Sequence, residues 1–213
     1  MTAADVIATA LAMNAAGINA ASAGNVSVRT DEGLLITPSG AAYDELSDVD
    51  IVAMTTDGTW ASDEGRAPSS EWRFHLDIYR ARPDVSAIVH AHPTHCTALA
   101  VHSRGIGPFH YMVAVAGGRD IRCAPYATFG TSELSAHVVA ALDGRRACLM
   151  AHHGMIATGS TLASALTLAI EVESLAAQYL AALAIGEPPL LSDDEIDEVL
   201  IKMNSGPGYG SVS

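Results

Sequence analysis

Three histidines follow two short apolar runs of the sequence. His90 ends the run at 85–90 and His92 comes two residues later, while His153 lies just after the run at 147–151. Runs of this length and composition are typical of buried strands, and residues two apart on a strand point to the same face. His90 and His92 can therefore reach one metal ion. Each histidine alone is more often a packing or capping residue, but imidazoles at two separate strand ends favour a metal site.

A carboxylate at the start of a predicted helix completes this set. Glu71 stands in the first turn of the helix that helical spacing predicts over 70–80. Three imidazoles and one carboxylate suit Zn²⁺, with Mn²⁺ and Co²⁺ as alternatives. A carboxylate is also favourable in a first helical turn for electrostatic reasons alone, and the spacing leaves that alternative open. Gly154 lets the backbone after His153 turn away or approach a ligand closely.

Three short segments offer backbone N–H groups and small polar side chains that suit an anion. They contain Asn25, Ser39, Gly40, Ser69 and Ser70. The last two open the predicted helix at 70–80, and the N-terminus of a helix attracts phosphate. Any one segment is more readily a turn or a helix cap. Together they predict a phosphate pocket that uses neither lysine nor arginine.

The balance of charges disfavours some classes of partner. The chain of 213 residues has 11 basic and 24 acidic residues, a formal net charge of −13, and no cluster of lysine or arginine. Nucleic acid and anionic membrane surfaces are therefore not expected partners. The apolar run at 162–185 is interrupted by Glu171 and Glu173, which indicates a core helix and not a membrane span.

The cysteines and the N-terminal residues indicate a cytoplasmic protein. Cys96, Cys123 and Cys148 are odd in number and widely spaced, as expected of free thiols in a reducing compartment. Residues 1–17 have no basic segment and carry Asp5 among apolar residues, so they predict a helix and not a signal peptide.

Periodicity and turn signals predict a mixed α/β chain. Helices are expected over 3–16, 70–80, 131–142, 162–185 and up to 203, with another after Pro93, and strands over 26–29, 34–37, 51–55, 85–90 and 147–151. The first helix is expected to place Ile7, Leu11 and Asn14 on one side, and Ser192 with Glu195 to form a capping box for the last. Hairpins without strict βαβ alternation favour a largely antiparallel sheet covered by helices. One domain over 1–203 and a flexible tail over 204–213 are expected.

Seven segments, in this order, resemble the class II aldolase family, and the resemblance runs from the first helix to about residue 203. The segments are 24–29, 36–40, 68–75, 89–92, 110–112, 124–131 and 152–154. The resemblance implies a three-layer α/β/α fold with a central, mostly antiparallel sheet. It also implies a cyclic homotetramer with active sites between subunits.

Carried over residue by residue, the resemblance assigns roles to particular side chains. It implies a metal site of Glu71, His90, His92 and His153, and a phosphate site of Asn25, Ser39, Gly40, Ser69 and Ser70. Tyr111 is implied as an acid that reaches in from a neighbouring subunit, and Phe129 as part of the aldehyde pocket. Tyr209 is the one candidate for the family's tail tyrosine, but it lies farther along a more glycine-rich tail, which bears on aldehyde selectivity more than on the chemistry.

The implied reaction is reversible cleavage of a ketose 1-phosphate, such as L-fuculose 1-phosphate, to dihydroxyacetone phosphate and a short aldehyde such as L-lactaldehyde. A metal-stabilised enediolate is expected, with Glu71 transferring the proton at C3 and Tyr111 the proton on the aldehyde oxygen. The only lysine, Lys202, stands away from every motif, which argues against a lysine imine. The alternatives are a sugar-phosphate 4-epimerase, a methylthioribulose-1-phosphate dehydratase, and a metal-free binding module of the kind found in cytoskeletal proteins.

Overall fold

A computed structural model describes residues 1–61 and 65–205. Within them lies a seven-stranded sheet in the order β3-β2-β1-β4-β7-β6-β5. The strands are β1 (Asn25–Arg29), β2 (Gly33–Ile36), β3 (Val52–Thr55), β4 (Ala87–Ala91), β5 (Arg122–Ala124), β6 (Ala147–Met150) and β7 (Gly154–Gly159). All described neighbours pair antiparallel except β5 and β6, which are parallel.

Helices cover both faces of this sheet. They are α1 (Ala3–Ala15), α2 (Trp72–Ala81), α3 (Thr94–Ala100), α4 (Ser132–Ala141), α5 (Leu162–Leu183) and α6 (Asp193–Ser205). Residues of α1, α3 and α5 share one apolar core with the sheet, and residues of α2 and α4 share a second core on the other face. This is the expected three-layer α/β/α arrangement with a mostly antiparallel sheet.

The central strand β4 is buried at all five positions. Because helices cover both of its faces, its sequence is a continuous apolar run and does not alternate. By length and composition alone α5 passes as a weak candidate for a membrane span, although Glu171 and Glu173 in its sequence argued against one. Eight of its residues are buried, and it packs against β7, β4 and α3. Its buried face is therefore part of the apolar core.

Several predicted elements have different bounds or faces. Helix α2 begins at Trp72, so Ser70 is not its cap; Glu71 occupies the cap position and makes no capping hydrogen bond with its side chain. The side of α1 that carries Leu11 is not the buried one, because Leu11 is 39% exposed and the buried residues are Val6, Thr9, Ala10 and Met13. This helix is apolar nearly all round, so its sequence does not select a face, and contacts with α5 and β1 do.

Other local predictions are confirmed or extended. The capping box at the start of α6 is present, with Ser192 Oγ accepting from the Glu195 amide at 3.3 Å and the Glu195 carboxylate accepting from the Ser192 amide at 2.7 Å. Strands β5 and β7 were not predicted, because β5 has only three residues and β7 is almost wholly buried without alternation. The division into a domain over 1–203 and a tail over 204–213 stays a prediction; α6 continues to Ser205, and 206–213 lie outside the described residues.

Candidate active site

Three neighbouring strands bring the candidate metal ligands to one edge of the sheet. In the register of β4 with its neighbours, His90 is opposite Asn25 of β1 and Ile156 of β7. His92 follows the last residue of β4, and His153 precedes the first residue of β7. Antiparallel pairing of β4 with β7 therefore places one strand's end beside the other strand's start. The two histidine motifs, far apart in the chain, meet for this reason.

The ligand atoms of Glu71, His90, His92 and His153 all lie within 4.8 Å of one another. The two carboxylate oxygens of Glu71 divide between two rings, with Oε2 3.0 Å from His90 Nε2 and Oε1 2.9 Å from His153 Nε2. His92 Nε2 is 2.9 Å from His90 Nε2. Three imidazoles and a carboxylate thus aim their ligand atoms at one small volume.

The protonation of these groups suits metal binding. His90 is fully buried, and its Nδ1–H donates to the carbonyl oxygen of Met155 at 2.9 Å, so Nε2 is the ring nitrogen that faces Glu71 and His92. Burial, together with the neighbouring histidines, lowers the pKa of His92 to about 3, which leaves its ring neutral. Burial alone would raise the pKa of Glu71, but His90 and His153 reverse this and hold that pKa well below its usual range. At neutral pH Glu71 is therefore an ionised carboxylate and His92 a neutral imidazole.

The cluster passes a simple test of fit for a divalent cation. Glu71 Oε1 is buried and, within the described residues, has no hydrogen-bond partner of acceptable geometry. A buried carboxylate oxygen without a partner is costly, and a bound cation removes that cost. Gly154 allows the close approach, because a Cβ there would lie 2.4 Å from the Ala91 carbonyl oxygen and 2.6 Å from a ring carbon of His92.

The candidate phosphate segments also converge. Pro38 and Pro68 form an isolated antiparallel bridge, flanked by hydrogen bonds from the Ser39 amide to Ala67 and from the Ser69 amide to Thr37, both 3.0 Å long. Thr37 in turn bonds to Val26 of β1 through its amide, at 3.1 Å, and its hydroxyl, at 3.2 Å. The three segments are thereby joined at the edge of the sheet that holds the histidines.

Donor groups in these segments remain available to a ligand. Within the described residues, neither the amides of Gly40 and Ser70 nor the hydroxyls of Ser39 and Ser70 have a recorded hydrogen-bond partner. Gly40 has a φ of +66°, a left-handed conformation that glycine adopts without strain. Such an array of N–H and O–H donors next to a cation site can hold a phosphate without a basic side chain.

Asn25 is placed differently from the other phosphate candidates. Its side chain is buried between Glu71 and His75, and its Nδ2 donates to Glu71 Oε2 at 3.0 Å. An amide nitrogen has two hydrogens, so one N–H of Asn25 remains for a ligand. Its Oδ1 contacts His75 Nε2.

Phe129 and Tyr111, two more candidates, are both exposed. The side chain of Phe129 is 62% exposed, and the following Gly130 packs against the Ser70 carbonyl, which brings Phe129 beside the phosphate segments. Tyr111 is 43% exposed at the start of a 3₁₀ helix (Tyr111–Ala116), and its recorded ring contact is with His110. No contact between Tyr111 and the metal cluster is recorded among the described residues. Tyr209 lies outside them.

Sequence reasoning overlooked the polar residues behind the cluster. His75 and Ser27 are fully buried and Tyr79 is nearly so, and the Ser27 hydroxyl is hydrogen-bonded to both His75 and Tyr79. The spacing of four residues between Glu71 and His75 was a usable signal. Residues four apart lie on the same face of a helix, so His75 in α2 is on the side that carries Glu71 at the cap position.

The fold is that of class II aldolases, which are metal-dependent lyases, and the group of Glu71, His90, His92 and His153 could bind a metal ion. Residues 4–180 match the Class II Aldolase and Adducin N-terminal domain, and the chain belongs to this family.

Two curated relatives and one solved structure illustrate the likeness. A 5-methylthioribulose-1-phosphate/5-deoxyribulose-1-phosphate aldolase of Rhodospirillum rubrum is 56% identical over 189 residues, which cover 89% of this chain and 85% of the relative. An L-fuculose phosphate aldolase of Escherichia coli is 53% identical over 201 residues, covering 94% and 93%. The structure of an L-fuculose 1-phosphate aldolase superposes with a TM-score of 0.91 at 38% identity, covering 95% of this chain and 96% of the other.

Proposed function

We propose that this aldolase reversibly cleaves L-fuculose 1-phosphate, or a closely related ketose 1-phosphate, to dihydroxyacetone phosphate and a short aldehyde. One observation carries the proposal: four metal-ligand atoms within 4.8 Å of one another lie beside segments whose backbone N–H groups include some without a partner among the described residues. A cation next to an anion-binding loop suits a substrate that carries a phosphate near a ketone. The names of the relatives agree with this class of substrate.

The proposed metal site consists of Glu71, His90, His92 and His153, with Zn²⁺ as the resident ion and Mn²⁺ or Co²⁺ as substitutes. A bound divalent ion supplies Lewis-acid stabilisation of the negative charge that develops on the ketose oxygens. The amides of Gly40 and Ser70, the hydroxyls of Ser39, Ser69 and Ser70, and the free N–H of Asn25 bind the phosphate. This binding holds the C3–C4 bond in place for cleavage.

Two side chains carry the proton transfers. In cleavage the hydroxyl at C4 loses its proton as the C3–C4 bond breaks, and C3 then gains a proton. Glu71 transfers the proton at C3, because its carboxylate is buried in a site closed to water on most sides. Tyr111 of a neighbouring subunit transfers the proton of the C4 hydroxyl, whose oxygen becomes the aldehyde oxygen.

The experiment that tests the reaction is release of dihydroxyacetone phosphate, followed with a coupled dehydrogenase. L-fuculose 1-phosphate, 5-deoxyribulose 1-phosphate and 5-methylthioribulose 1-phosphate should be compared by kcat/KM. Activity that is lost on chelation and returns with Zn²⁺ supports the proposal. A metallated protein that consumes these sugars without releasing dihydroxyacetone phosphate would be an epimerase or a dehydratase instead.

The proposed assembly is a homotetramer with each site shared between subunits. It is supported by the exposed position of Tyr111, which has no recorded contact with the metal cluster in the described chain. Tyr111→Phe and His92→Ala subunits should be denatured together, mixed and refolded. In a ring assembled from equal amounts of the two variants, each site takes its metal ligands from one subunit and its tyrosine from the next. About one quarter of the sites then have both an intact metal set and an intact tyrosine. Recovery of activity supports shared sites, and none is expected if each subunit is self-sufficient.

The aldehyde end of the substrate is assigned to Phe129 and to Tyr209 of the tail. An apolar pocket distinguishes one methyl group by about 1–3 kcal/mol, so several sugars are accepted at different rates. Tyr209→Phe should change the ratio of kcat/KM between the three sugars. The same ratio in the variant would remove Tyr209 from the assignment.

We assign the protein to the cytoplasm. Cys96, Cys123 and Cys148 are all free thiols, as a reducing compartment maintains them. Cell fractionation with an antibody to the chain tests the assignment, which recovery with membranes or secreted material would contradict.

A further inference from the structure

A chain of buried polar groups runs away from the metal cluster through the layer between the sheet and α2. Starting at Glu71, it passes through Asn25, His75 and Ser27 and ends at Tyr79. Ser27 Oγ is 2.7 Å from His75 Nδ1 and 2.8 Å from the Tyr79 hydroxyl. His75 and Ser27 have no exposed surface at all, so no water competes for these hydrogen bonds.

The ionised carboxylate at one end determines the direction of every hydrogen bond in this chain. A carboxylate only accepts, so Asn25 must turn its NH₂ group to Glu71 and its Oδ1 to His75. His75 must then donate from Nε2, and the bare Nδ1 of its neutral ring accepts from the Ser27 hydroxyl. Ser27 Oγ is left to accept from the Tyr79 hydroxyl. The reverse direction would put the Asn25 oxygen against the Glu71 carboxylate.

The neutral ring that this direction needs is supported by its surroundings. Complete burial lowers the pKa of His75 to about 3, and Asn25 separates its ring from the Glu71 carboxylate. On one side the ring packs against Phe74, with ring centroids 4.8 Å apart. No rotation of the ring is available without breaking both of its hydrogen bonds.

We propose that His75 is a positioning residue for the metal site, acting through Asn25 to decide which oxygen of Glu71 is presented to the cation. The inference rests on the metal site proposed above. Asn25 donates a hydrogen bond to Glu71 Oε2. The other oxygen, Oε1, has no hydrogen-bond partner of acceptable geometry in the described chain; it faces His153 and is available to bind the ion. The hydrogen bond to Glu71 also fixes the orientation of the Asn25 amide, and the second N–H of that amide is available to a ligand.

Two substitutions of His75 separate this role from simple packing. A glutamine amide reaches about as far as Nε2 of the ring and keeps a donor for Asn25, whereas an asparagine amide reaches only as far as Nδ1 and loses that donor. His75→Asn should weaken Co²⁺ binding about tenfold or more, and His75→Gln less than about threefold, as outer partners of metal ligands do. The visible absorption of bound Co²⁺ should change in His75→Asn, because the coordination by Glu71 changes.

Milder variants cover the case in which His75→Asn does not fold. Ser27→Ala removes the hydrogen bond that holds Nδ1 of the ring and should weaken Co²⁺ binding about three- to tenfold, while Tyr79→Phe leaves the Ser27 hydroxyl in place and should have a smaller effect. Ser135→Ala is a matched control, since Ser135 is a buried serine whose hydroxyl donates to Asp77 at 2.7 Å, outside this chain of groups. It should bind Co²⁺ as the unmodified protein does.

The measurements are Co²⁺ titration of metal-free protein and the visible spectrum of the complex, with thermal unfolding of the metal-free variants as a check of folding. Folded Ser27→Ala and His75→Asn variants with unchanged affinity and spectrum would overturn the inference while leaving the metal site intact. His92→Ala distinguishes the other failure: if it binds Co²⁺ as tightly as the unmodified protein, the proposed metal site is wrong and the inference falls with it.

Discussion

Gly130 lies so close to Ser70 that a Cβ atom at Gly130 would stand 2.9 Å from the Ser70 carbonyl oxygen. The segment that carries Phe129 therefore packs directly against Ser70, whose amide has no hydrogen-bond partner among the described residues. The contact joins the phosphate end of the proposed substrate site, at Ser70, to its aldehyde end, at Phe129. A shift of one segment should therefore displace the other, although Ser70 and Gly130 are 60 positions apart in the sequence.

Gly130→Ala should lower kcat/KM about tenfold or more, because both the contact and the φ of +76° resist a side chain and the loop must shift. Steady-state kinetics with L-fuculose 1-phosphate measures the change. Gly144→Ala is the matched control: its φ of +63° carries a similar strain of about 1 kcal/mol, but nothing lies within 4 Å of the added methyl. Equal effects of the two substitutions would show that strain matters here and the contact with Ser70 does not.

Glu71→Gln should leave the metal content nearly unchanged and slow proton exchange at C3 of dihydroxyacetone phosphate by about 10²- to 10⁴-fold. Three imidazoles remain to hold the ion, but an amide cannot accept the proton. Exchange is followed by loss of deuterium from labelled dihydroxyacetone phosphate, with metal content determined on the same sample. Unchanged exchange in a metal-replete variant would exclude Glu71 as the base.

Removal of the metal should lower the melting temperature. Glu71 Oε1 has no hydrogen-bond partner of acceptable geometry among the described residues, and a cation beside it and the facing ring nitrogens of His90 and His92 would stabilise all three groups. Zn²⁺ at a free concentration about 1,000 times its Kd should stabilise the folded protein by about 4 kcal/mol. Differential scanning calorimetry measures the shift, which should largely vanish in His92→Ala. A full shift in that variant would mean that the ion binds elsewhere.

Glu173 should contribute to stability by capping the short helix that follows His92. Its carboxylate accepts from the amides of His95 and Cys96, both at 2.9 Å. Glu173→Ala leaves two donors without partners and should cost about 2 kcal/mol in urea unfolding of the metal-free protein. Glu171→Ala, on the same helix and without a recorded hydrogen bond in the described chain, should cost about 0.5 kcal/mol or less. Equal losses would contradict the capping role.

The thiols should react slowly, and faster as the pH rises. Burial raises the pKa of Cys123 to about 11, and burial also raises the pKa values of Cys96 and Cys148. The thiolate is the reactive form, and its fraction falls tenfold for each pH unit below the pKa. At pH 8 about one thousandth of Cys123 is therefore ionised, and the rate should rise about tenfold per pH unit until pH 11. Reaction of the native protein with DTNB measures this rate, and Cys123→Ser should abolish it. Rapid labelling of two thiols at pH 8 would refute the prediction.

Local sequence information was sufficient where the chemistry is local. Spacing by two on a strand indicated that His90 and His92 share a face, and Ser192 with Glu195 indicated the start of α6. The apolar run of β4 was visible because a central strand is buried on both sides. The buried face of α1 was not visible in the sequence, because a helix that is apolar nearly all round can pack on either side.

The sequence by itself determined the family, the kinds of ligand atom and the segments that carry them, because each depends on residue type within a few positions. Only the tertiary structure decided that β7 lies beside β4 and thereby joins His153 to His90, and that Ser27, His75 and Asn25 line up behind Glu71. Ser27 and His75 are 48 positions apart. Their contact depends on how α2 packs across the sheet, and that packing is set by the apolar core as a whole and not by the residues that form the hydrogen bonds.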